Sequence, residues 1–235
     1  MSGFAGALFS SFTAASSTGG SIALNGTNQY LSANAAQKPT TLGNNLFTLE
    51  GFYRFTALPS SLYSLSCTSD INLRFFLHSD GILSIWEGTS IRWVTANAGM
   101  AINTWYHICV MRSNNGATTT VLDIYVNGVK QVKTTNTTTS VTYISSGMLV
   151  GAESSNQYFI QGNVTNYRIV NGTAVYTVAG FTPPTAPLSN ITNTQLLLLA
   201  SSSGTVTTDS STANAGSGYP VTNVNGATYS ALTPF

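Results

Sequence analysis

Wherever hydrophobic and polar residues fall into a rhythm along this chain, the period is two, and β-branched and aromatic residues fill the apolar phase. The pattern predicts strands over 21–24, 46–55, 62–67, 72–77, 81–87, 91–95, 105–112, 121–126, 148–151, 159–170 and 195–199. No stretch of helical period runs beyond a turn or two. Many short strands at this spacing predict an all-β sandwich or jelly roll. Two turns punctuate it: Asp80-Gly81 between NLRFFLHS and ILSIWE, and Asn127-Gly128 between VLDIYV and VKQV. Both dipeptides readily take the positive φ angles of two-residue hairpins. The segment 105–112 (WYHICVMR) is almost continuously apolar, which predicts a central strand covered on both faces.

Composition changes the picture in one respect. Only 8 Lys and Arg and 7 Asp and Glu occur in 235 residues, against 29 Ser, 34 Thr and 21 Asn, while 43% of the chain is apolar. A typical soluble domain is about one-quarter charged. There is material for a compact core, but recognition must rest on apolar surface, hydroxyls, amides and backbone. The net charge is +1 and the bases are scattered singly, so a nucleic-acid partner is excluded on counterion grounds. A weakly charged surface also favours self-association, hence a homo-oligomer.

Charge is distributed unevenly. No charged side chain precedes Lys38, and Asp209 alone follows Arg168. Residues 1–20 read as an N-terminal arm, 21–181 as the jelly-roll domain, and 182–235, opening with FTPPTAP, as a C-terminal extension that packs on the domain or on neighbours. The uncharged arm presents Phe4, Leu8, Phe9 and Phe12 for assembly contacts. Its apolar run is broken by Gly and Ser and lacks a basic start, which makes it a poor secretory signal. The run 196–200 is too short to insert in a membrane. Cys67 and Cys109 sit in no metal or redox spacing and read as small buried hydrophobes, their pairing left open.

The motifs SIALNGT followed by Tyr30-Leu31, then FTLEGFY at 47–53, Trp105-x-His107-Ile108 running to Arg112, IYVNG at 124–128, and FIQG at 159–162 running to Tyr167-Arg168-Ile169 and Ala174-Val175-Tyr176 resemble the laminin-G-like branch of the concanavalin A-like lectin/glucanase superfamily. The resemblance implies an all-β jelly-roll sandwich of two antiparallel sheets, one of them concave. With its Thr/Asn-rich loops and its FTPPTAPL tail, the chain is also similar to modules of virion proteins of aquatic tailed bacteriophages. That resemblance implies a non-enzymatic capsid-decoration, tail or fibre protein, assembled in the host cytoplasm, with other virion proteins and a host-surface glycan as partners. A cell-surface or secreted lectin module is the alternative, and a glycoside hydrolase a third.

Candidate sites follow from the same resemblance. The glucanases' paired carboxylates on one strand are missing here, since no two acids lie within six positions of each other. No G-x-S-x-G elbow accompanies His78 or His107, which argues against a Ser-His-Asp site, so no catalytic residues are expected. No cofactor is expected either. Calcium, the family's frequent ligand, would have to lean on Asp70 or Asp80 with carbonyls and Asn side chains. For a glycan, the best local cluster is Trp86 and Trp93 flanking a turn, with Arg74, Arg92 and Glu87 nearby; the competing reading places both tryptophans in the core.

Overall fold

The computed structural model describes residues 19–33, 42, 45–115, 119–133 and 147–235. Phe4, Leu8, Phe9 and Phe12 lie outside the described residues. In chain order the strands are β1 (Ser21–Asn25), β2 (Tyr30–Ala33), β3 (Phe47–Phe55), β4 (Leu62–Thr68), β5 (Arg74–His78), β6 (Ile82–Glu87), β7 (Ser90–Asn97), β8 (Trp105–Asn115), β9 (Thr119–Val126), β10 (Val129–Lys130), β11 (Met148–Val150), β12 (Gln161–Asn171), β13 (Thr194–Leu198), β14 (Val221–Val224) and β15 (Thr228–Ser230).

They form two antiparallel sheets. Sheet I runs β10-β9-β8-β3-β12-β1-β15, with β13 also paired to β12; sheet II runs β14-β2-β11-β4-β5-β6-β7. Phe47, Leu49, Tyr53 and Phe55 of β3 meet Phe75, Leu77, Leu83 and Ile85 of sheet II in one continuous core between the sheets. The period-two rhythm thus does what it predicts, each strand sending alternate residues inward. The predicted central strand is β8, buried from Tyr106 to Ser113 between β3 and β9.

The two turns differ. Asn127 and Gly128 both have positive φ, 50° and 74°, and close β9 onto β10 as a two-residue hairpin. A Cβ on Gly128 would collide with the carbonyl oxygen of Phe181, so glycine is required there for space as well as conformation. Between β5 and β6 the loop has three residues, 79–81. Gly81 N–H donates to His78 O at 3.0 Å and, of the central pair expected, Gly81 takes a positive φ, the pattern of a type I turn followed by a left-handed residue.

The tail is woven into both sheets. β13 lies along the C-terminal half of β12 and β1 along its N-terminal half, β15 extends sheet I beyond β1, and β14 extends sheet II beyond β2. β14 and β15 carry no sequence rhythm long enough to announce them; pairing with β2 and β1 makes them strands. Asp209 ties the tail together, accepting from Leu197 N, Ser211 N, Ser211 Oγ and Tyr219 N.

Candidate functional site

The sandwich has two outer faces, and they are built differently. On sheet I, Thr48 and Glu50 of β3, His107 and Cys109 of β8, Tyr125 of β9 and Arg168 of β12 point away from the core. Arg168 reaches that face because β12 carries one extra residue: Thr165 pairs with Phe52 but Arg168 with Glu50, with Asn166 at φ 51° in the bulge. The segment 172–193 crosses this face as a strap. Thr48 Oγ1 donates to Thr173 O and accepts from Val175 N, Tyr125 Oη donates to Val178 O, and Asn166 Oδ1 accepts from Leu188 N.

Beneath the strap lies a carboxylate with no exposure. Glu50 accepts from His107 Nε2 at 2.9 Å, Arg168 Nε and Nη2 at 2.9 and 2.6 Å, and Tyr176 Oη at 2.6 Å. Burial pushes the Glu50 carboxyl up, but the His107 hydrogen bond, the Arg168 and His107 charges and the Tyr176 hydrogen bond together outweigh it and hold the group below the ordinary carboxylate value. Tyr176 stacks on Phe181 with centroids 3.8 Å apart, and Phe52 is capped by Phe235. This quartet holds the strap to the sheet; it has no access for a substrate.

The outer face of sheet II is the candidate site. Arg74 and Phe76 of β5 and Ser84 and Trp86 of β6 share it, because their neighbours Phe75, Leu77, Leu83 and Ile85 fill the core. Phe76 is buried between two half-buried rings, Trp86 at 5.9 Å and Tyr158 at 5.7 Å, both edge-on. The Arg74 guanidinium lies 5.2 Å from the Trp86 ring centroid, is ion-paired to Glu153 Oε1, and donates to Gly88 O. Trp86 Nε1 donates to Ser84 Oγ at 2.8 Å, and Ser84 Oγ lies 2.6 Å from His78 Nε2. Burial pulls the His78 imidazole below its ordinary value against the opposing pull of Asp80, so it is neutral at pH 7. The Ser84 hydroxyl is fully buried and occupied by the indole N–H, which leaves it unsuited to nucleophilic attack.

Five residues of the sequence-derived cluster part company here. Trp86 lies on the outer face with Arg74 against it, whereas Trp93 is a correction: at 1% exposure it fills the core opposite Ile85, because β6 and β7 are bulged between them. Arg74 is not solvent-facing but clamped, with side-chain exposure of 12%. Arg92 and Glu87 pair with each other at 2.6 Å beside the β6–β7 turn. Asp70 and Asp80 occupy the turns at opposite ends of β5, where Asp70 accepts from Asn72 N and Nδ2 and Asp80 from Ile82 N. Among the described residues no group of three His, Cys, Asp or Glu forms a metal site. Cys67 and Cys109 are both free and buried, on the outer faces of opposite sheets; burial pushes the Cys67 thiol up to about 12.

Sequence reasoning missed the loop 151–160. It crosses sheet II with Ile160 N bonded to Gly151 O and Ser64 N bonded to Tyr158 O. Tyr158 sits at φ 57°, a region a bulky residue rarely occupies. Its ring borders an open cleft of about 550 Å³, walled by Leu58, Ser60, Ser61, Leu62, Gln157 and Gln161 among others. FIQG was the local signal, but it marked a strand start and said nothing of a cleft.

A family model described as the concanavalin A-like lectin/glucanases superfamily matches residues 25–178. No curated protein sequence matches the chain. Among solved structures, the NanB sialidase from Streptococcus pneumoniae is similar with TM-score 0.50 and 16% identity, over 67% of this chain and 26% of that one. A native heptameric SAP-like pentraxin from Limulus polyphemus has TM-score 0.47 and 15% identity, over 69% and 80%. Trypanosoma rangeli sialidase in complex with 2,3-difluorosialic acid has TM-score 0.46 and 15% identity, over 65% and 25%. The chain therefore spans about a quarter of those sialidase chains, and at such identities the likeness is one of fold.

Proposed function

We propose, starting from the fact that this chain belongs to the concanavalin A-like lectin/glucanases superfamily, that it is a non-enzymatic adhesive module that binds carbohydrate on the outer face of sheet II. The observation that carries this is the pair of half-buried rings, Trp86 and Tyr158, seated on buried Phe76. Such rings offer flat apolar faces to the C–H side of a pyranose, while Ser, Gln and backbone groups beside them suit its hydroxyls. The carboxylates favour a non-catalytic reading. Glu50, Glu87, Glu153 and Asp123 each face a base, and Asp209 is occupied by four donors. Trp86→Ala is expected to abolish glycan-array binding while lowering stability by no more than about 1–2 kcal/mol, since Trp86 is only half-buried. Retained binding in that variant would refute the assignment of the face.

A finer reading has its own support: we infer that the module rides on a phage particle, as capsid decoration or a tail or fibre component, in homo-oligomeric form among other virion proteins. What favours it is the confinement of all charges but Asp209 to 38–168: of the two nearly uncharged flanks the C-terminal one is taken up by the chain's own sheets, and the N-terminal one suits contact with another protein. Deleting residues 1–18 is expected to leave thermal unfolding unchanged and to prevent incorporation into particles, scored by mass spectrometry of purified virions. Normal incorporation would remove this reading.

A further inference from the structure

We propose that the cleft beside Tyr158 selects neutral sugars and rejects acidic ones; this deepens, and rests on, the carbohydrate-binding reading of the adjoining outer face of sheet II, with which the cleft shares Tyr158. Among the described residues that line the cleft, none carries a charged side chain. Its polar groups are Ser60, Ser61, Gln157 and Gln161, whose hydroxyls and amides both donate and accept, as sugar hydroxyls do. Its apolar part is Tyr158 with Leu58, the latter 41% exposed. At about 550 Å³ it falls in the size range of ligand clefts and holds a short oligosaccharide.

The surroundings make the selectivity. Recognition of a carboxylate or sulfate draws on an arginine fork or a comparable cation. Among the described residues no such group lines the cleft, and Arg74 and Arg92 on the adjoining face are spent, the first on Glu153 and the Gly88 carbonyl, the second on Glu87. An acidic sugar entering the cleft would surrender hydration of its anion without gaining a counter-ion, a penalty a neutral sugar does not meet. Tyr158 is kept at its left-handed φ by the Ser64 N to Tyr158 O bond and by packing on Phe76, which holds the ring at the cleft edge before any ligand arrives.

The test uses the full chain in calorimetric titrations against neutral gluco-, manno- and galacto-oligosaccharides and against oligogalacturonate, 3′-sialyllactose and heparin oligosaccharide. At least one neutral series is expected to bind, with Kd changing by less than about twofold from about 20 to about 500 mM NaCl. Ser60→Trp, which fills the cleft from an exposed position, and Gln157→Ala, on the exposed loop, are each expected to weaken binding about tenfold or more. Gln157→Ala serves if Ser60→Trp disturbs folding. Preferential binding of an acidic sugar, or neutral binding indifferent to both variants, would overturn the proposal while leaving carbohydrate binding intact. Binding of none of the sugars would bring down the carbohydrate reading and this one with it.

Discussion

Glu50→Ala is expected to destabilise the protein by about 3–5 kcal/mol, measured as a shift in the urea midpoint at unchanged slope. The reason is what it leaves behind. Arg168 is only 4% exposed and directs Nε and Nη2 at Glu50, so without the carboxylate a buried guanidinium loses its counter-charge. His107 and Tyr176 lose their acceptor at the same time, and with Tyr176 the strap 172–193 loses an anchor. Glu50→Gln keeps the volume but not the charge and should cost nearly as much. Replacing Glu50 and Arg168 together by Leu and Met should recover much of the loss, because removing both members of a buried pair avoids the stranded charge. The sign of the pH dependence follows from the same contacts. The Glu50 carboxyl is held below its ordinary value of 4.5, so its stabilisation is present above that value and is lost as pH falls through the lower folded value. Between about pH 7 and about pH 3, Glu50→Gln should therefore show a flatter acid decline than the native protein. An identical acid limb would mean that other carboxylates govern it.

The second large effect separates the two tryptophans. Trp93→Ala should cost about 3–5 kcal/mol, the range for deleting a large aromatic from a packed core, and Trp93→Phe distinctly less. Trp93 is 1% exposed among Leu83, Ile85 and their neighbours, where rigid sheets on both sides allow little collapse into the space vacated. Trp86→Ala opens one side of Phe76 to solvent instead, so thermal unfolding should report Trp93 and glycan binding should report Trp86. Equal losses of stability in both variants would contradict the placement of Trp86 on the outer face.

Several of these placements had local signals and others had none. In ILSIWE the alternation Leu83, Ser84, Ile85, Trp86 puts Trp86 on the same side as a serine, away from the core, and the structure agrees. For Trp93 the rhythm is lost, because bulges between Ile82 and Ser84 and between Ile85 and Trp86 change which face each β7 residue takes. In FTLEGFYRF the same alternation puts Thr48, Glu50, Phe52 and Arg54 on one side, which by itself looks like a solvated face. Glu50 is nevertheless fully buried, because a strap more than 120 positions later closes over it.

What the sequence determined on its own is the all-β class, the central place of 105–112 and the Asn127-Gly128 hairpin. Each rests on interactions among near neighbours: side-chain alternation with period two, β-branched residues on a pleat, and positive φ at a two-residue turn. The family motifs carried it further, to the superfamily. Only the tertiary structure decided which tryptophan faces outward, that Arg168 meets Glu50, that the tail supplies strands to both sheets, and that Tyr158 edges a cleft. One extra residue in β12 reverses the facing of every residue after it, and whether a polar face is wet or covered depends on segments far away in sequence. Those are properties of register and distant packing, and a period-two pattern reads the same whichever way they fall.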